Sequence, residues 1–178
     1  MATSTYLQGH LDCLCGVYSV INAAKLVHGG LRLDKAWDLF YECLKHIEER
    51  KRLFRDLTGG LSSSDLKALL RNVLAWDHEI TVKRPFSRVG GIRFGSYLYS
   101  IRQFLEGGEN RAVIVCFAAG WDLPHWAVIK SVSKQYIILS DSAGCKRISR
   151  KRLTIRKATS CKPVLLATKE TYFLSNSR

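Results

Sequence analysis

Residues 125–141 read His125-Trp126-Ala127-Val128-Ile129-Lys130-Ser131-Val132-Ser133-Lys134-Gln135-Tyr136-Ile137-Ile138-Leu139-Ser140-Asp141. Two runs rich in β-branched and aromatic residues, His125–Val132 and Tyr136–Leu139, flank a polar break at Ser133-Lys134, the pattern of a β-hairpin. Antiparallel pairing sets the start of the first strand against the end of the second. His125 and Asp141 are therefore expected side by side, within reach of a histidine–carboxylate hydrogen bond.

Outward from this hairpin the second half is strand-rich. Ala112–Phe117 and Pro163–Ala167 are apolar runs of strand length, and His78–Lys83 precedes them as another. Pro85–Gly95 reads as a loop with a Gly90-Gly91 turn, and Ser96–Leu105 as a short helix closed by Gly107-Gly108. The first half has helical spacing. Cys15–Val27 carries an apolar face and stops at Gly29-Gly30. Leu33–Phe54 places Trp37, Phe40, Tyr41, Leu44 and Ile47 on one face with charges opposite, and is expected to end or break before Thr58-Gly59-Gly60. Ser62-Ser63-Ser64-Asp65 is an N-cap region for a helix through Leu74. Helices followed by an antiparallel sheet predict an α+β fold with the first helix laid on the sheet. The chain has 178 residues. With no repeat and no low-complexity linker, it is expected to form a single domain over residues 1–178.

Composition narrows the classes. An apolar fraction of 47% and a charged fraction of 24% are ordinary for a globular protein, so long disorder is not expected. The N-terminus lacks a basic stretch followed by an apolar run, and no apolar stretch approaches the ~20 residues of a membrane span. Six cysteines without an export signal are expected to be free thiols in a reducing, cytoplasmic setting. The net charge of +13 favours acidic partners: an acidic peptide, nucleic acid or an anionic surface.

The chemistry-bearing stretch of the first half is Asp12-Cys13-Leu14-Cys15-Gly16-Val17-Tyr18-Ser19. A cysteine in the first turn of a helix has its thiolate stabilised by unpaired N–H groups and the helix dipole. Gly16, lacking a side chain, lets the backbone approach a substrate carbonyl closely. Taken alone, Cys15 is as readily a small buried apolar residue as a nucleophile. The His125–Asp141 hairpin decides between these, because a carboxylate-oriented imidazole can accept the proton of a thiol. Gln8, seven residues before Cys15, carries an amide able to donate to a developing oxyanion beside the Cys15 N–H. Trp121-Asp122-Leu123-Pro124 precedes the histidine, making Trp121 a candidate wall and Asp122 a rival to Asp141. The hairpin partner is preferred, because a side chain so close along one loop points away.

Gln8, Cys15-Gly16 at a helix start, His125-Trp126-Ala127-Val128 and Leu139-Ser140-Asp141 together resemble papain-like cysteine peptidases. The resemblance is to the C39-like branch, the bacteriocin-leader-processing peptidases. It covers most of the chain through four short blocks. It implies a papain-like fold, in which a central N-terminal helix bearing the cysteine packs on an antiparallel sheet bearing the histidine and aspartate. It also implies thiol peptidase activity without a cofactor, on a protein or peptide substrate. The implied roles are Cys15 nucleophile, His125 base, Asp141 orienter and Gln8 oxyanion donor. The chain departs from the family pattern in three ways. The Gln8-to-Cys15 gap is one residue longer, while Cys13 sits at a gap one shorter and is a rival nucleophile. The aspartate-proline of the family is Asp141-Ser142 here, and these 178 residues are not expected to include the transporter domain that often accompanies such peptidases.

Three other readings share these residues. Cys13 and Cys15 with His10, completed by Cys145 and Cys161, form a candidate zinc set, although paired C-x2-C spacing is absent. The same Cys–His–Asp set serves glutamine deamidases and transglutaminases, since catalytic machinery does not reveal the acyl donor. Lys146, Arg147, Arg150, Lys151, Arg152, Arg156, Lys157 and Lys162 make a basic run able to track a phosphate backbone in a non-catalytic binding module. Ile148, Leu153 and Ile155 interleave with that run, as on solvated strand or turn faces. The aromatics Trp76, Tyr97, Tyr99, Trp121 and Trp126 fall mostly at core-like positions and form no stacking platform with it.

Overall fold

A computed structural model describes residues 4–9, 12–75, 78–120 and 124–176. Five α-helices and a seven-stranded sheet account for most of these residues. Helix α1 (Cys15–Val27) has the expected bounds, and Gly29 leaves it at φ 68, a conformation that favours glycine. Helix α2 covers Leu33–Glu49 and α3 Leu53–Gly59, separated by Lys51 at φ 55. The expected single helix to Phe54 is thus two. Ser62 caps α4 (Ser63–Leu69) by accepting from the Asp65 N–H, and the helix runs on as a π-turn over Leu70–Leu74. Helix α5 is Phe94–Glu106.

The strands are β1 (Ile80–Lys83), β2 (Arg111–Ala119), β3 (His125–Val132), β4 (Tyr136–Ser140), β5 (Arg147–Ser149), β6 (Leu153–Thr154) and β7 (Val164–Asn176). Their order is β1-β7-β2-β3-β4-β5, antiparallel throughout, with β6 added parallel to the start of β7. The chain is therefore α+β. Strand β7 extends nine residues beyond the expected end at Ala167, through polar residues Thr168–Glu170, because both β2 and β1 pair with its later part.

The central strands are apolar on both sides because both faces of the sheet are covered. Ala112, Ile114, Cys116, Trp126 and Val128 face α1, α2 and α4, whereas Val113, Val115, Phe117, Ala127 and Ile129 pack with Tyr97, Leu98 and Ile101 of α5. Helix α2 corrects the expectation for its apolar face. It buries Ala36, Leu39, Cys43 and Ile47, while Trp37 and Tyr41 are 63% and 70% exposed. Tyr99, expected among the core aromatics, is likewise exposed; Trp76 lies outside the described residues.

Candidate active site

The β3–β4 register pairs Val128 with Ser140, which carries Asp141 just past the strand end toward the start of β3. There the His125 Nε2 and Asp141 Oδ1 form a close hydrogen-bonded pair. The other carboxylate oxygen of Asp141 accepts from the Cys145 N–H at 3.0 Å, and its carbonyl accepts from Gly144 N, so a tight turn fixes the aspartate. Asp141 and His125 are both buried. With Nε2 occupied, the remaining ring nitrogen is the one available to the Cys15 thiol, which hydrogen-bonds the imidazole. Burial disfavours the imidazolium, but the Asp141 hydrogen bond and the Cys15 contact outweigh it and raise the His125 pKa to about 9.

Cys15 opens α1, so its N–H is among those a helix leaves without an i−4 acceptor. Its Sγ lies 3.5 Å from the Trp126 N–H, the residue after the histidine. The Trp126 indole donates to the Leu61 carbonyl at 3.0 Å and so ties β3 to the segment before α4. Gly16 also has a packing reason that the sequence does not announce. A Cβ there would stand 3.1 Å from the Leu61 Cβ and 3.3 Å from the Trp126 Cδ1. The glycine therefore lets the helix start press against Leu61 and Trp126.

Cys13, two residues earlier, turns the other way: its thiol donates to the Thr58 carbonyl at 3.3 Å and its N–H to Leu57. It is the Cys15 thiol that meets His125.

Gln8 arrives on an N-terminal strap, residues 4–9, that lies along α1. Tyr6 exchanges two hydrogen bonds with the Asn22 side chain, Lys25 holds the Ser4 carbonyl, and Thr5 pairs with Ser140. The strap ends with Gln8 N donating to the Ser142 carbonyl at 3.1 Å. Ser142 Oγ donates to Gln8 Oε1 at 3.0 Å, which fixes the amide flip, and Nε2 donates to the Asp12 carbonyl at 3.3 Å. One Nε2 hydrogen remains for another acceptor. The longer Gln8-to-Cys15 gap is taken up by Asp12, whose carboxylate accepts from both Gly9 N and Leu14 N.

Asp12 and Ser142 are thus positioning residues that sequence reasoning missed. Asp12 carried a signal, an aspartate just before a helix. Ser142 carried none, because its partner is 134 residues away.

Trp121, Asp122 and His10 lie outside the described residues. All six cysteines are free thiols. Among the described residues, no three His, Cys, Asp or Glu side chains gather as metal ligands would. Among the described residues, no helix is long and apolar enough to cross a membrane. The basic run spans β5, a 3-10 turn, β6 and the loop that follows, with Ile148 and Leu153 buried beneath lysines and arginines that are mostly exposed, which is the solvated-face arrangement. Comparison with protein-family models, curated proteins and solved structures finds no match for the chain.

Proposed function

We propose that the chain is a papain-like cysteine hydrolase of the C39-like kind, acting on a peptide or amide bond. The observation that carries this is His125, buried and hydrogen-bonded to Asp141, where Asp141 and the Cys15 contact raise its pKa to about 9 and so favour the imidazolium at neutral pH. An imidazolium at that place is the acid that expulsion of an amine requires.

The reaction runs as follows. Cys15 attacks the carbonyl carbon as a thiolate, its proton having passed to His125, and forms the C–S bond. The oxyanion accepts from the Cys15 N–H and the free Nε2 hydrogen of Gln8. His125 gives its proton to the leaving nitrogen as the C–N bond breaks, leaving a thioester. Water then loses a proton to His125 and attacks; the C–S bond breaks and the acid departs. Asp141 holds the ring throughout. No cofactor enters these steps. The basic surface suits a substrate segment that is acidic, and a reducing compartment such as the cytoplasm suits six free thiols.

The test is iodoacetamide labelling at about pH 6, where unperturbed thiols react slowly. Cys15 is expected to label ahead of the other five, and Cys15→Ala to abolish the fast phase. Preferential labelling of Cys13, or equal labelling of all six, would overturn the assignment. With candidate substrates, intact mass distinguishes cleavage from deamidation, a gain of about one dalton, and from amine transfer.

A further inference from the structure

The cleft on the Trp126 side of Cys15 is the feature that the catalytic set leaves unexplained. It encloses about 380 Å³. One wall is Pro124 and Trp126, which bracket the base, together with Cys116, opposite Trp126 in the β2–β3 ladder. The facing wall is the Gly59–Ser63 segment, and Arg55 of α3 stands at it. The cleft adjoins Cys15 through Trp126, whose backbone N lies 3.5 Å from the Cys15 Sγ.

Arg55 is built in unusually for a surface arginine. Its Nε and Nη2 donate to Asp56 Oδ1, and Nη2 also reaches Asp65 Oδ2. The Asp56 and Asp65 side chains are 0% and 3% exposed, whereas that of Arg55 is 49% exposed. Arg50 and Arg52 also converge on Asp65, so three guanidiniums meet two carboxylates and the cluster keeps a positive excess. Burial raises the Asp56 pKa despite the opposing hydrogen bond from Arg55. Nη1 of Arg55 has no partner among the described residues. The two buried carboxylates thus hold Nε and both hydrogens of Nη2, and Nη1 is left as the unpartnered donor of a residue that lines the cleft. An unpartnered guanidinium N–H makes a charge-assisted hydrogen bond to a carboxylate oxygen.

We propose that this cleft is a substrate subsite for a carboxylate, with Arg55 as its specificity-determining residue. The proposal rests on the hydrolase reading above. The carboxylate is an aspartate or glutamate side chain near the scissile bond, or a free chain terminus. Peptide vinyl sulfones distinguish these sources when they differ only by Glu or Gln on either side of the warhead, or by a free or amidated C-terminus.

The expected result is that one acidic probe alkylates Cys15 about tenfold faster than its neutral twin. Arg55→Gln should bring that ratio close to one and Arg55→Lys should restore part of it. Because Arg55→Gln leaves two buried carboxylates short of a partner, the double variant Arg55→Gln, Asp56→Asn should show the same lost preference in a relieved background. Equal alkylation of Cys15 by all twins in the unmodified protein would overturn the subsite and leave the hydrolase standing. Failure of every probe and of iodoacetamide to prefer Cys15 over the other thiols would overturn the hydrolase reading and this one with it.

Discussion

At the scale of single residues, the proposed reaction turns on His125, which also bears on stability. In Asp141→Asn the ring faces an amide that no longer stabilises its positive charge. The rate of Cys15 alkylation or of substrate turnover is expected to fall on the order of 10²-fold or more, measured at constant pH. The linkage sign follows from the raised pKa. The folded state holds a proton on His125 up to about pH 9, whereas the unfolded chain releases it near 6.5. This stabilisation is complete below pH 6.5 and is lost as pH rises through 9. A Tm series over that range should show a steeper alkaline decline in the native protein than in His125→Ala. Gly16→Ala tests the packing account: the new methyl meets Leu61 and Trp126 and should cost about 1–3 kcal/mol by urea denaturation, against a gain of about 1 kcal/mol in helix propensity.

Among elements, the junction of α2, α3 and α4 depends on Asp65. Its carboxylate gathers Arg50 and Arg52 from the α2–α3 turn and Arg55 from α3 while lying just inside the α4 cap. Desolvation raises its pKa, but Ser62 and the arginines more than reverse this and hold it below the usual value. Asp65→Ala should cost about 3 kcal/mol at neutral pH. The Asp65 contribution is present above the ordinary aspartate range and disappears as pH falls through the lowered pKa, so the variant's deficit should shrink in acid. The α1 bounds, the Ser62 cap and the β3–β4 hairpin were legible because local rules govern them. The arginine–aspartate junction was not, because no periodicity announces which charged residues meet. In α2, residues 36, 39, 43 and 47 and residues 37, 40, 41 and 44 form adjacent apolar stripes, and only the partner surface decides which is buried. The end of β7 was hidden for the same reason: two neighbouring strands hold polar residues that alone suggest a loop. At the site, the hairpin geometry of His125 and Asp141 was readable, whereas Ser142's grip on Gln8 depended on tertiary closure.

For the whole molecule, charge is unevenly distributed. Between Ser142 and Lys169 there is no Asp or Glu, yet nine Lys and Arg stand there. None of the nine forms an ion pair among the described residues; Arg147 lies over the Tyr136 ring and Arg150 donates to backbone carbonyls instead. Mutual repulsion along this segment opposes folding and is screened by salt. The Tm is therefore expected to rise between about 0.02 and 0.3 M NaCl, and Lys151→Glu to raise it most at the low end.

The strap and the hairpin carry a further meaning. Trp126 reaches Cys15 across 111 residues, Ser142 reaches Gln8 across 134 and Ser140 reaches Thr5 across 135. As the chain leaves the ribosome, the Cys15 thiol emerges early and waits for His125 and for the Ser142 clasp on Gln8 until the second half is made. Contacts of such separation form late and slowly. A nascent or truncated copy then carries an ordinary cysteine, and alkylation at Cys15 reports how many molecules have finished folding.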